Sequence, residues 1–177
     1  MDLRSQLRFY KYYHHNTTNV RIHSIFIPII LYSSLSILSD IKIFQVKTNI
    51  WVSLIYSCFY IYLCIPTGII FVIVFTFMNN LISRGVLTGN KAKFGLFTLG
   101  WGCQFIGHFM FEGDKPAVFE NLFQSLILAP YFILFELLFQ LGLYKELFKQ
   151  LEADITLMKK TKRKELGKPQ LYNIINN

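Results

Sequence analysis

Ile22 to Leu38 reads IHSIFIPIILYSSLSIL, a run of 17 residues without Asp, Glu, Lys or Arg. About 17 apolar residues is the lower limit for a helix that crosses a bilayer. Pro28 removes a helical hydrogen bond and is expected to bend the segment. Four more apolar stretches follow: Ile50–Ile65, Ile69–Ile82, Phe94–Phe111 and Leu122–Leu143. Pro66-Thr67-Gly68 separates the second from the third, which predicts either a tight hairpin or one long broken helix. Glu136 and Pro130 interrupt the last. The fold expected is all-α: an integral membrane helical bundle with four to five apolar helices.

Outward from these stretches the chain turns polar. Between Ser24 and Ile82 the only charged residues are Asp40, Lys42 and Lys47. Charged residues make up 16% of the chain, against about 25% in an average soluble domain. Most basic residues lie in the first 21 positions, from Arg84 to Lys93, and after Lys145. Basic ends on both sides predict both termini in the cytosol and an even number of crossings, four with one re-entrant or interfacial segment. The net charge of +8 raises the question of nucleic acid. No basic stripe interleaves with a soluble core, so the basic tail, with its run Lys159, Lys160, Lys162, Arg163 and Lys164, is assigned to anionic membrane lipids instead.

The length predicts one membrane-embedded domain, 1–177. Residues 1–21 form an interfacial N-terminal helix and turn, 22–143 the apolar helical bundle, and 144–177 a basic cytosolic helix and tail. Leu3, Leu7 and Tyr10 recur at helical spacing, which predicts a short helix lying apolar side down. Asn16-Thr17-Thr18-Asn19 reads as the turn after it. Cys58, Cys64 and Cys103 sit in apolar stretches with no C-x-x-C pair, so they are assigned to packing. The N-terminus has no cleavable signal.

The chemistry is confined to few residues. The chain has four histidines: His14, His15, His23 and His108. An ionisable group at membrane depth is costly and is by default a functional-site hypothesis. The turn after His14 lets a helix–turn–helix bring His14 and His23 together. Gln104, His108 and Glu112 are spaced i, i+4, i+8 and share one face of a continuous α-helix. Gln104 or Glu112 would then hydrogen-bond the His108 imidazole, or Glu112 would bind metal itself. Gly107 would let a neighbouring helix approach. Neutral imidazoles with open positions suit ferrous iron, with zinc as the competing metal. Four histidines cannot fill the several histidine boxes of a membrane di-iron enzyme, so a mononuclear site is the one available. A bundle whose histidines merely hydrogen-bond one another remains the plain alternative.

His14-x4-Asn19-x3-His23 with Pro28, and Gln104-Phe105-Ile106-Gly107-His108 with Phe111-Glu112 and Lys115-Pro116-Ala117, resemble the two motifs of the membrane-bound 2-hydroxy fatty acid dioxygenases. The resemblance to fungal members extends from Asp2-Leu3-Arg4-Ser5 through Asn121-Leu122 to Ala129-Pro130-Tyr131-Phe132. Phe26 departs from the pattern, standing where many bacterial members have glycine. The resemblance implies a multi-pass protein of the endoplasmic reticulum membrane that uses Fe(2+) and O2. It would shorten long-chain 2-hydroxy fatty acids by one carbon in phytosphingosine degradation. His14, His23 and His108 carry over as iron ligands; His15 receives no role. One hydroxy acid and one O2 balance to the shortened acid, carbon dioxide and water, so no outside reductant is needed. No G-x-G-x-x-G follows a strand, in keeping with that balance. Arg21 is assigned to lipid phosphates rather than to the substrate carboxylate. Two other classes compete: a non-enzymatic membrane scaffold, and a zinc-dependent lipid hydrolase that would work without oxygen.

Overall fold

The computed structural model describes residues 2–14, 16–112 and 122–175, with side chains for all of these except 112, 122–125 and 162–175. The described chain is helical apart from a two-stranded hairpin at Lys42–Ile43 and Val46–Lys47.

Helix α1 (Leu3–Tyr13) starts at Asp2, whose carboxylate accepts the Ser5 N–H. Helix α2 (Thr17–Leu38) starts at Asn16, whose side chain accepts from the Thr18 and Asn19 N–H groups. This cap satisfies donors that a helix start leaves open, so the helix begins five residues before Ile22. The expected turn over residues 16–19 is therefore shorter: Thr17, Thr18 and Asn19 are already helical. Helix α2 continues through Pro28.

Helices α3 (Thr48–Leu63) and α4 (Ile65–Ser83) are the predicted hairpin rather than one broken helix. One extended residue, Cys64, separates them. At the tight end a Cβ on Gly68 would lie 2.5 Å from the Ile61 backbone, so only glycine permits this approach. At the other end Asn49 donates to Asn79 at 2.8 Å, and Asn79 donates to Ser53 at 3.0 Å. Amide pairs of this kind hold helices where lipid gives no hydrophobic drive.

Helix α5 (Asn90–Gly107) runs antiparallel to α2 and passes into a π-helical turn over His108–Glu112. Two glycines seven residues apart bring the pair together. A Cβ on Gly100 would meet Ile30 Cγ1 at 2.5 Å, and one on Gly107 would meet Asn19 Oδ1 at 2.5 Å. The expectation for Gly107 is borne out. Lys93 Nζ donates to both oxygens of Asp40 at 2.7 Å and ties the start of α5 to the end of α2.

Helix α6 (Leu122–Gln140) and helix α7 (Lys145–Ile175) meet at a bend of 114°. Both hold α1. Leu7 and Tyr10 are buried, with Tyr10 stacked on Phe132 at 4.8 Å, so the apolar side of α1 is covered by protein rather than left for lipid. Lys11 Nζ lies 3.0 Å from Glu136 of α6 and 3.3 Å from Glu152 of α7. This pair explains the carboxylate in the apolar α6. Arg4 makes two hydrogen bonds to Asp154, at 2.9 and 2.7 Å, which hold its guanidinium above the ordinary value.

Among the described residues, α2 and α4 are long and apolar enough to cross a membrane, and the bent α6–α7 pair would add a third span. Helix α3 is apolar but shorter. Ile55 and Tyr62 of α3 and Ile69, Ile73 and Phe77 of α4 lie more than half exposed, an apolar outer surface suited to lipid. The chain is a helical, membrane-associated protein.

Candidate metal centre

Three helical segments deliver one imidazole each to a common point. His14 stands just after α1, His23 is in the second turn of α2, and His108 opens the π-helical turn. All three are buried, at 2%, 3% and 4% exposure. Their ring centroids are 4.6, 4.7 and 4.8 Å apart, and one ligand atom from each lies within 4.8 Å of the others. His23 Nε2 and His108 Nε2 are 3.2 Å apart.

The ring orientations favour metal binding. His14 Nδ1 lies 2.8 Å from the Tyr10 carbonyl, and His23 Nδ1 lies 2.9 Å from the Asn19 carbonyl. A carbonyl only accepts, so each Nδ1 carries the proton and donates it. Each neutral ring then presents the Nε2 lone pair, the tautomer that a metal requires. Two nitrogens at about 2.1 Å from one ion, at right or tetrahedral angles, stand roughly 3.0–3.4 Å apart. The 3.2 Å spacing of His23 and His108 falls in that range, so these two nitrogens are spaced to share a metal ion, with His14 beside them. Tyr10 stacks on His14 at 4.6 Å and 16°, and burial pushes its phenol up, so it stays neutral beside the site.

The other expected site residues divide. Gln104 is buried and lines the same cavity as His108. The expected Gln104–His108 hydrogen bond is not formed: the buried Gln104 Nε2 donor has no partner among the described residues. For Glu112, the i, i+8 spacing assumed a continuous α-helix; the switch to π-helix at His108 removes that premise. The Glu112 side chain lies outside the described residues, as do His15 and Lys115-Pro116-Ala117. π-Turns inside α-helices are frequent at functional sites. Arg21 is exposed and does not line the cavity.

A cavity of about 380 Å³ opens from the histidines. It runs along α2 past Ile27, Leu31 and Ser34 to Leu38, walled by α3, α5 and α6. No Lys, Arg, Asp or Glu lines it among the described residues. Tyr10 and Trp101 belong to the site or its wall and were given no site role from sequence, and Asn19 stood in the first motif without a role of its own. Tyr10 and Asn19 each precede a motif histidine by four residues, the one signal available beforehand.

Residues 1–141 match the family described as 2-hydroxy-palmitic acid dioxygenase Mpo1-like. The chain belongs to this family. It is 47% identical over 165 residues to a Saccharomyces cerevisiae protein named 2-hydroxy-palmitic acid dioxygenase MPO1, covering 92% of this chain and 95% of that one. No solved structure matches it. Family membership and the buried histidine triad together favour an enzyme of the dioxygenase kind over a scaffold.

Proposed function

We propose that this protein is an Fe(2+)-dependent dioxygenase that converts long-chain 2-hydroxy fatty acids to acids one carbon shorter, at the endoplasmic reticulum membrane, in phytosphingosine degradation. The observation that carries the reading is the convergence of three buried imidazoles at one end of an apolar cavity. The named activity of the yeast relative supports the reaction class.

His14, His23 and His108 would hold the iron, with the Tyr10 and Asn19 carbonyls keeping two of the rings in the binding tautomer. Iron bound there supplies the electron chemistry that O2 needs and acts as a Lewis acid and template for the 2-hydroxy acid. The chain's own residues do the rest. The cavity extends from His23 to Leu38, 15 residues of helix, or about 22 Å at about 1.5 Å per residue. Carbon–carbon bonds of about 1.52 Å at about 111° advance roughly 1.25 Å each, so a 16-carbon acid spans about 19 Å. Its acyl chain fits lengthwise, displacing water from Ile27, Leu31 and Leu35. Three imidazoles, with no Lys or Arg lining the cavity among the described residues, suit a substrate that brings its own anionic oxygen ligands.

The test is an assay on purified protein with 2-hydroxypalmitate, with and without Fe(2+) and O2. Turnover is expected only with both, and His23→Ala and His108→Ala are expected to lose both iron and turnover at unchanged protein level. Turnover under nitrogen would point to the zinc-hydrolase class, and normal turnover in His108→Ala would remove the site assignment.

A further inference from the structure

A buried donor beside the cavity has no acceptor among the described residues. Gln104 is 6% exposed, and its Nε2 meets no hydrogen-bond partner among the described residues. It stands one helical turn before His108, about 6 Å along the axis, and lines the cavity with it. A buried amide N–H left unbonded is costly, and the cavity can admit an acceptor from outside the fold at this point. Among the described residues the cavity wall offers no Lys or Arg, so an entering carboxylate meets neutral groups there.

We propose that Gln104 Nε2 donates a hydrogen bond to the carboxylate of the bound 2-hydroxy acid, a recognition role that rests on the function proposed above. The acyl chain carries no acceptor, so this bond is available only at the head of the substrate. The hydroxyl and one carboxylate oxygen suffice to face the three histidines; the second carboxylate oxygen then needs a donor, and Gln104 lies on the same helix face one turn away. The bond fixes orientation, with the head at the histidines and the tail toward Leu38. Trp101 Nε1 is a second cavity donor without a partner among the described residues, one turn further along α5, beside the tail rather than the head.

Equilibrium binding of labelled 2-hydroxypalmitate under nitrogen, where no turnover occurs, tests this, with iron content measured on the same samples. Gln104→Leu is expected to keep its iron and to bind 2-hydroxypalmitate about 10- to 100-fold more weakly, the worth of a hydrogen bond to a charged group. Binding of hexadecane-1,2-diol, which lacks the carboxylate, is expected to change little. In air, KM is expected to rise more than kcat falls. Should Gln104→Leu not fold, Gln104→Glu keeps the shape, places a like charge at the head and is expected to weaken binding at least as much. Normal 2-hydroxypalmitate binding in the variants overturns the proposal and leaves the dioxygenase reading standing. Loss of iron in Gln104→Leu overturns it in favour of a role in holding His108. Failure of the unaltered, iron-loaded protein to bind 2-hydroxypalmitate removes the function and this inference together.

Discussion

Replacing Ser34 by phenylalanine is expected to shorten the acyl chain that the enzyme accepts. Ser34 lines the cavity on α2, 11 residues beyond His23, or about 16 Å along the helix at about 1.5 Å per residue. At roughly 1.25 Å per carbon, derived from bonds of about 1.52 Å, that distance holds about 13 carbons. A phenyl ring there displaces about the last three methylenes of a 16-carbon acid. At about 0.8 kcal/mol per buried methylene the loss is about 2.4 kcal/mol, or roughly 60-fold in kcat/KM. A 12-carbon 2-hydroxy acid ends before the ring and is expected to react nearly as well as before. The assay is turnover of 2-hydroxy acids of 12, 14, 16 and 18 carbons by the Ser34→Phe variant, with iron content as the control. An equal fall for all lengths, with iron retained, would refute the lengthwise placement of the chain. So would an unchanged length profile.

Lys11→Met leaves Glu136 buried without its partner; breaking such pairs costs about 3–5 kcal/mol, and the slight exposure of both groups points to the lower end. Thermal unfolding is expected to fall and iron to be lost as α1 carries His14 away, while Lys11→Met with Glu136→Leu recovers much of the stability. Gly107→Ala forces a methyl into the 2.5 Å approach of Asn19 and is expected to cost about 1–3 kcal/mol, read as a lower melting temperature and weakened iron binding.

The histidine site was legible in the sequence because polarity is rare there. Against apolar surroundings His23 and His108 stand out, and the break after Tyr13 allows His14 to join them. The break between α3 and α4 was marked by Pro66-Thr67-Gly68, but the choice of a hairpin over one broken helix, closed by Gly68 on Ile61, needs the fold to be seen. The docking of α1 was not legible. Lys11 and Glu136 are 125 residues apart, and nothing in either local pattern points to the other. The helical repeat of Leu3, Leu7 and Tyr10 fits a membrane surface and a protein groove equally well. The π-turn at His108 also escaped a reading based on α-helical spacing, and with it the face of Glu112. The placement of Gln104 depended on the cavity, which residues of five helices line together.

The clamp on α1 bears on how the protein is made. In chain order His14 is made well before Glu136, Glu152 and Asp154, which hold its helix. A nascent chain stopped before residue 136 owns all three imidazoles but none of the acidic anchors for the first. Assembly of the three-histidine cluster is thereby expected to wait until the segment from residue 136 onward has been made.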